Sequence, residues 1–392
     1  MIARAENACA SEFIEDQSAG ATHLSSANIV RRTQRRSAPS FLEVMLLSFI
    51  GSLLFTGTIL LFKDYRLAVE NFGDSSAYES VASAIQRWTF DGLQIKQFWG
   101  YPYAIAAVAT LARVSIQSSL LMVSWFSCFL SIALAYRLWG GWVAAFFAVL
   151  NFDWMQRSFL GGSEPLAVAL IFGAFLAARN KRYLVAALLA ALSTVVRPLG
   201  IFCLVGIGIE LLYQRQYKKL ASSVLIGVVV GGLSVVPLAL RFSDPFATVH
   251  SYQEVGTSLF GCPFYAIIKG TVLYPAPFTN LLLNFAWILL VVAGFARMIK
   301  SPDFRRYAKE HRVEVLFAIP YLLLIFCYNY PVFARSNFSR FVIPALPIVF
   351  VALSRWLPHN RGVIWGLGVV MPILAASSAL GIRNVMHLLH VP

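Results

Sequence analysis

The sequence predicts an all-α polytopic membrane protein, and three observations carry that expectation. Hydrophobic residues make up 58% of the 392, with a mean hydropathy of +0.70, and only 13% are charged, against roughly 25% in soluble domains. The apolar residues fall in runs near the roughly 20 that a helix needs to cross the hydrocarbon core. These runs lack the alternation of barrel strands, so satisfying the backbone in lipid requires helices.

Residues 1–40 are rich in Ala, Ser, Glu and Arg, contain no apolar signal-peptide core, and read as a disordered cytoplasmic tail ending in RRTQRR. The remainder, 41–392, reads as a single transmembrane domain. Its first span is 41–62, which delivers the mixed-charge segment 63–100 to the outer face. Next comes YPYAIAAVATLARVS at 101–115, too short to cross, which reads as an interfacial or re-entrant helix. Further spans are expected at 118–136, 139–153, 165–178, 183–197, 198–213, 220–240, 279–299, 314–331, 340–356 and 362–381, about eleven in all.

Charge sets the orientation. With 101–115 lying on the surface, Arg137, RNKR at 179–182, QRQYKK at 214–219, KSPDFRRYAKEHR at 300–312 and RWLPHNR at 355–361 all face inward, as the positive-inside rule asks. Had that helix crossed, every later cluster would face out. The outer segments are then 63–117, 154–164, 241–278 and 332–339, and nine of the 18 acidic residues lie in or beside them. The net charge of +14 is dispersed between apolar runs, so it does not indicate nucleic-acid binding. Five scattered cysteines without CxxC spacing read as small core residues.

Several outer residues are candidates for chemistry. Asp74 in GDSSAY would cap a helix or act as a general base, with Tyr78 four residues on and on the same face. Asp153 and Glu164 flank a Gly161–Gly162 bend, where a carboxylate at the bilayer lip needs a partner. Glu164 otherwise serves as a favourable charge at a helix N-terminus. Arg197 in VVRPLG is either a snorkelling anchor or the partner of an anion. Arg340 opens a span holding Pro344 and Pro347, which must pack inside the bundle so that neighbours satisfy the freed carbonyls. His250 follows Asp244 in an outer loop, and no HxxH pairing points to zinc.

Taken in order, GDSSAY, YPYAIAAVATLARV, GGSEPLAVALIFGAFLAAR, LSTVVRPLGIF, SDPFATVHSYQ and SRFVIPALPIVF resemble the C-type (GT-C) glycosyltransferase superfamily. The nearest resemblance is to the second mannosyltransferase of glycosylphosphatidylinositol assembly and its prokaryotic relatives. It implies juxtamembrane helices in the first outer loop and an inverting transfer of a hexose, mannose by the resemblance. The donor would be a polyprenyl-phosphate sugar and the acceptor a lipid-linked or protein hydroxyl. On that reading Asp74 is the base, Arg197, Arg340 and Lys96 hold the donor phosphate, and Tyr78, Asp153, Glu164 and His250 bind substrate. No cofactor is implied, and a lone carboxylate without DxD or ExD argues against a divalent metal. Partners would be membrane lipids and not nucleic acid, in a bacterial plasma membrane or, alternatively, the endoplasmic reticulum. A transporter or lipid flippase would instead show paired halves and midplane charges. A non-catalytic scaffold would keep the fold without the base.

Overall fold

The protein is described here as a computed structural model over residues 38–89, 98–248, 250, 260–273, 278–329 and 337–388. Lys96 and residues 1–37 lie outside the described residues. Contacts divide the chain into Met1–Ser40 and Phe41–Pro392, and the second unit is a body of helices. Apart from one isolated bridge between Phe260 and Tyr328, no extended pairing occurs among the described residues.

The first span is helix α1, Phe41–Phe62. Asp64 then caps the short α2, Tyr65–Glu70, by accepting from the Arg66 and Leu67 amides. The amphipathic α3, Ser75–Arg87, packs on α4, Gly100–Ala112. At 13 residues α4 is about 20 Å long, short of the hydrocarbon thickness, as its sequence predicts. Trp99, Val81, Ala84 and Leu238 form a small apolar cluster of their own under this pair.

Helix α5, Ile116–Trp139, is capped by Ser115 and lines its buried face with Ser119, Ser124, Ser127 and Ser131. Small hydroxyls let helices approach closely in lipid and bond across the contact. Accordingly Ser119 donates to the Ile105 carbonyl at 2.6 Å, Ser124 to Gly162 at 3.1 Å and Ser131 to Pro165 at 3.2 Å. The chain continues as α6, Gly141–Val149, α7, Phe152–Phe159, and α8, Glu164–Arg179. The span expected at 139–153 is thus a nine-residue helix of about 13 Å, and it stops before Asn151. Asn151 takes over as a buried cap, accepting from the Trp154 amide and donating to the Ser339 carbonyl. The segment 154–164, expected as an outer loop, is mostly the buried helix α7. Helices α7 and α8 meet at 106°, a bend made possible by Gly161 at φ +92°.

Beyond it run α9, Tyr183–Val196, a 3-10 turn at Pro198–Gly200, α10, Ile201–Tyr213, and the long α11, Tyr217–Phe242. After α12, Tyr265–Leu273, come α13, Phe278–Lys300, the basic amphipathic α14, Pro302–Glu310, and α15, Arg312–Cys327. The proline-bearing span expected at 340–356 is broken into α16, Phe338–Phe341, a 3-10 turn at Ile343–Ala345, and α17, Leu346–Ala352. Its residues from Val342 to Phe350, both prolines included, are buried, as prolines in a lipid-embedded helix require. The last helix, α18, Arg361–Leu388, packs against α1 and α7.

Helix occurs at each place where a span is expected. Among the described residues, five helices are long and apolar enough to cross alone, and a sixth crossing results if α7 and α8 count as one bent span. The others are shorter or interrupted, as at Pro198 and Pro344. The chain is a multi-pass membrane protein.

Candidate functional site

Asp74 sits at the N-cap position of α3, yet its carboxylate makes no capping bond. It is instead 43% exposed and receives Arg340 Nη2 at 3.3 Å. The Tyr78 amide bonds the Asp74 carbonyl at 2.9 Å, so the turn is helical and the two residues share a face, as their spacing predicts. Three residues, Ser75, Gly73 and Tyr78, hold this turn. Ser75 Oγ donates to the Leu160 carbonyl at 2.9 Å. Gly73, at φ +49°, turns the chain immediately before the aspartate. Tyr78 stands edge-on to Tyr101 with its hydroxyl 3.0 Å from Ser163 Oγ.

Glu164 lies behind this rim, at the first residue of α8 and 2% exposed. Its Oε1 accepts from Arg197 Nη1 at 2.6 Å and also from Arg340 Nε. Arg340 therefore joins the rim carboxylate to the buried one. Arg197 reaches the cluster because Pro198 forces it out of the helical region, to φ −147° and ψ 126°, where α9 ends. Its Nη1 also donates to Ser163 Oγ at 3.2 Å. Asp153 bonds Ser339 Oγ, adjacent to Arg340.

Of the expected site residues, the structure gathers Asp74, Tyr78, Asp153, Glu164, Arg197 and Arg340 from helices α3, α7, α8 and α16 and the turn after α9. His250 is not brought to them. It pairs with Asp244 at 2.8 Å on the segment after α11, both side chains being exposed. Lys96 lies outside the described residues.

Burial pushes the Tyr78 phenol up to about 12, helped by the negative charges of Asp74 and Glu164. It is therefore a neutral hydrogen-bonding group at physiological pH. Among the described residues, no group of three or more His, Cys, Asp or Glu could hold a metal ion.

The sequence reading missed Arg157, Ser163 and Ser339. Arg157 stands four residues after Asp153, the spacing that places two side chains on one helix face. That signal was hidden because 154–164 reads as a loop. Its guanidinium lies under the Asp74 turn, 4.7 Å from the centre of the Phe72 ring. A Cβ added at Gly73 would stand 2.6 Å from Arg157 Nη1, so glycine there provides both the turn and room for the arginine. The two serines lie beside recognised residues, in GSE and FSRF, but neither carries a signal of its own.

The site thus combines three carboxylates and three guanidinium groups, with one carboxylate at its accessible edge. It can accept a proton at Asp74 and hold an anion against the arginines.

No protein-family model matches the chain, and no curated protein is similar to it in sequence. Among solved structures, it is similar to the crystal structure of ArnT from Cupriavidus metallidurans bound to undecaprenyl phosphate, with 15% identity over 89% of this chain and a TM-score of 0.51. The apo structure of the same protein gives 14% identity over 87% of this chain and a TM-score of 0.47. The chain spans 66% of the length of the ligand-bound structure and 65% of the apo one. At this identity the likeness speaks to architecture: the chain has the all-helical GT-C-like fold.

Proposed function

We propose that the protein is an inverting glycosyltransferase that moves a hexose, mannose by its sequence resemblance, from a polyprenyl-phosphate donor to a lipid-linked or protein hydroxyl. The transfer takes place at the outer membrane face, which in a bacterial plasma membrane is periplasmic. The fold supports this reading, since ArnT is a GT-C glycosyltransferase whose crystal structure contains undecaprenyl phosphate. The observation that carries it is the state of Asp74, a half-exposed carboxylate that does not cap its helix and is turned toward a cluster of arginines.

Asp74 removes the proton from the acceptor hydroxyl as that oxygen attacks the anomeric carbon. The bond from that carbon to the phosphate oxygen breaks on the opposite face, and the sugar is transferred with inversion. The leaving polyprenyl phosphate is already a stable anion, so it needs cations more than a proton, and Arg340 and Arg197 supply them. Arg340 also orients Asp74, and Glu164 fixes both arginines. Tyr78, Asp153 and Ser163 contribute hydrogen-bonding groups around the sugar.

The test is transfer in vesicles from labelled polyprenyl-phosphate mannose, with and without added acceptor lipids. Label moving to an acceptor supports the reading, and other polyprenyl-phosphate hexoses supplied in parallel identify the sugar. Movement of intact donor between leaflets without transfer would replace it with the flippase alternative.

A further inference from the structure

Arg157 differs from the other arginines of the site. Arg197 donates to Glu164 and Ser163, and Arg340 donates to Glu164 and Asp74. Arg157 is 8% exposed, yet its guanidinium makes no hydrogen bond or ion pair among the described residues, and its Nε is sealed from the surface without a partner. Its terminal nitrogens are not among the sealed atoms. A buried guanidinium normally finds a carboxylate or carbonyl, because desolvation of an unpaired charge is costly. Here Asp74, Asp153 and Glu164 act on it only through space, while Arg340 opposes them.

The surroundings keep the side chain in place. Phe72 covers one face of the guanidinium, and the positive φ of Gly73 lets the backbone pass within contact of Nη1. Gly162 leaves room for the aliphatic part, since a Cβ there would lie 2.6 Å from Arg157 Cβ. The arginine is therefore held by packing, and its charge-assisted donors are left uncommitted.

We infer that Arg157 is a seat for a substrate phosphoester, set beside Asp74 and separate from the Arg197–Glu164–Arg340 chain. A planar guanidinium with several parallel N–H groups matches the oxygens of a phosphoester better than it matches a single-point anion. The inference rests on the transferase reading for the origin of the phosphate. Two sources share this chemistry, the polyprenyl phosphate of the donor and the phosphate headgroup of a lipid acceptor.

The test measures binding by the purified full-length chain in neutral detergent. The probes are farnesyl phosphate, farnesol and dihexanoyl phosphatidic acid, applied to wild type, Arg157→Met and Arg157→Lys. Methionine keeps apolar bulk against Phe72 and removes the charge. Loss of a charge-assisted hydrogen bond should weaken a phosphate probe about tenfold or more, with farnesol unaffected and lysine intermediate. A loss confined to farnesyl phosphate assigns the seat to the donor, and a loss confined to dihexanoyl phosphatidic acid assigns it to a lipid headgroup. Equal binding of both phosphates by wild type and Arg157→Met overturns the inference, even if transfer activity is present.

Should Arg157→Met fail to fold, phenylglyoxal labelling of wild type gives a second measurement. Farnesyl phosphate, but not farnesol, should slow modification of Arg157, and a rate unchanged by either phosphate overturns the seat. If Arg157 protects and binds as expected while no transfer occurs from any polyprenyl-phosphate hexose, the seat stands and the transferase reading falls.

Discussion

Helix α8 begins at Glu164 and ends at Arg179, roughly 23 Å away, and each end carries a buried ion-pair cluster. At the Arg179 end the arginine and its carboxylate partner are both fully bonded. Glu314 Oε1 takes Arg179 Nε at 2.5 Å, while Oε2 takes Arg179 Nη2 at 3.0 Å, Trp139 Nε1 at 2.9 Å and the Tyr307 hydroxyl. The remaining guanidinium nitrogen donates to the Leu138 carbonyl at 2.6 Å. At the Glu164 end, Oε1 takes two arginines while Oε2 takes none, Arg157 is uncommitted, and Asp74 reaches the surface. A saturated buried network rigidifies a fold, and an unsaturated one retains capacity for a ligand. The same helix therefore carries a lock at one end and the candidate site at the other.

The largest expected effect tests that division at the site. Asp74→Asn keeps the shape of the rim and removes the base, so transfer should fall by about 10²–10⁴, while thermal unfolding in detergent stays where it was. Wild-type rates from purified Asp74→Asn would remove this residue from the chemistry. The converse change is Glu314→Gln, which leaves Arg179 without its counter-charge. Breaking such a pair costs about 3–5 kcal/mol, and the 20% exposure of Arg179 places this case at the lower end. The melting temperature should drop clearly, while the fraction that stays folded transfers at a near-normal rate. A folded variant with normal stability and no transfer would show that the lock belongs to the site.

Smaller effects sharpen the boundary of the unsaturated end. Gly73→Ala forces an L-residue to positive φ, at about 1–2 kcal/mol, and drives a methyl group into Arg157. Displacing the Asp74 turn in this way should lower transfer about tenfold, more than it lowers stability. Tyr78→Phe removes the bond to Ser163, about 1 kcal/mol, and should cost several-fold in rate. Burial holds the phenol near 12, so the ionised form is the disfavoured one and Tyr78 stays neutral below about pH 10. The pH–rate profiles of wild type and Tyr78→Phe should therefore be parallel from pH 6 to about pH 10. A limb present only in wild type would make Tyr78 a titrating participant.

The sequence showed these two ends unequally. Apolar run length located the helices and the non-spanning α4, because crossing lipid fixes both length and composition. The burial of Pro344 and Pro347 followed from backbone satisfaction alone. Breaks inside runs were less legible, since α6 and the α16–α17 region have the composition of continuous spans and are interrupted by tertiary contacts such as the Asn151 bond to Ser339, while the polar α7 reads as a loop. At the site, Asp74, Glu164, Arg197 and Arg340 stood out because charge in an apolar chain needs a reason. Arg157 did not, because an arginine in an expected outer loop needs none. The Arg179–Glu314 lock was likewise concealed by the positive-inside rule, which accounts for Arg179 as a topology signal and does not reveal its buried partner.

The smallest expected effect concerns the Asp244–His250 pair, which belongs to neither end of α8. The hydrogen bond from His250, with a second from the Phe246 amide, holds the Asp244 carboxyl below the usual range. That contribution is present at neutral pH and fades as acid protonates the carboxylate below its ordinary value. Both side chains are exposed, at 56% for His250 and 34% for Asp244, and an exposed pair of this kind is worth little. His250→Ala should therefore change transfer by less than about twofold at neutral pH, since solvent and salt screen an exposed pair. A tenfold fall in transfer at unchanged stability would instead make His250 a substrate-binding residue, as its sequence resemblance implies, and the site would then extend beyond the unsaturated cluster at the Glu164 end of α8.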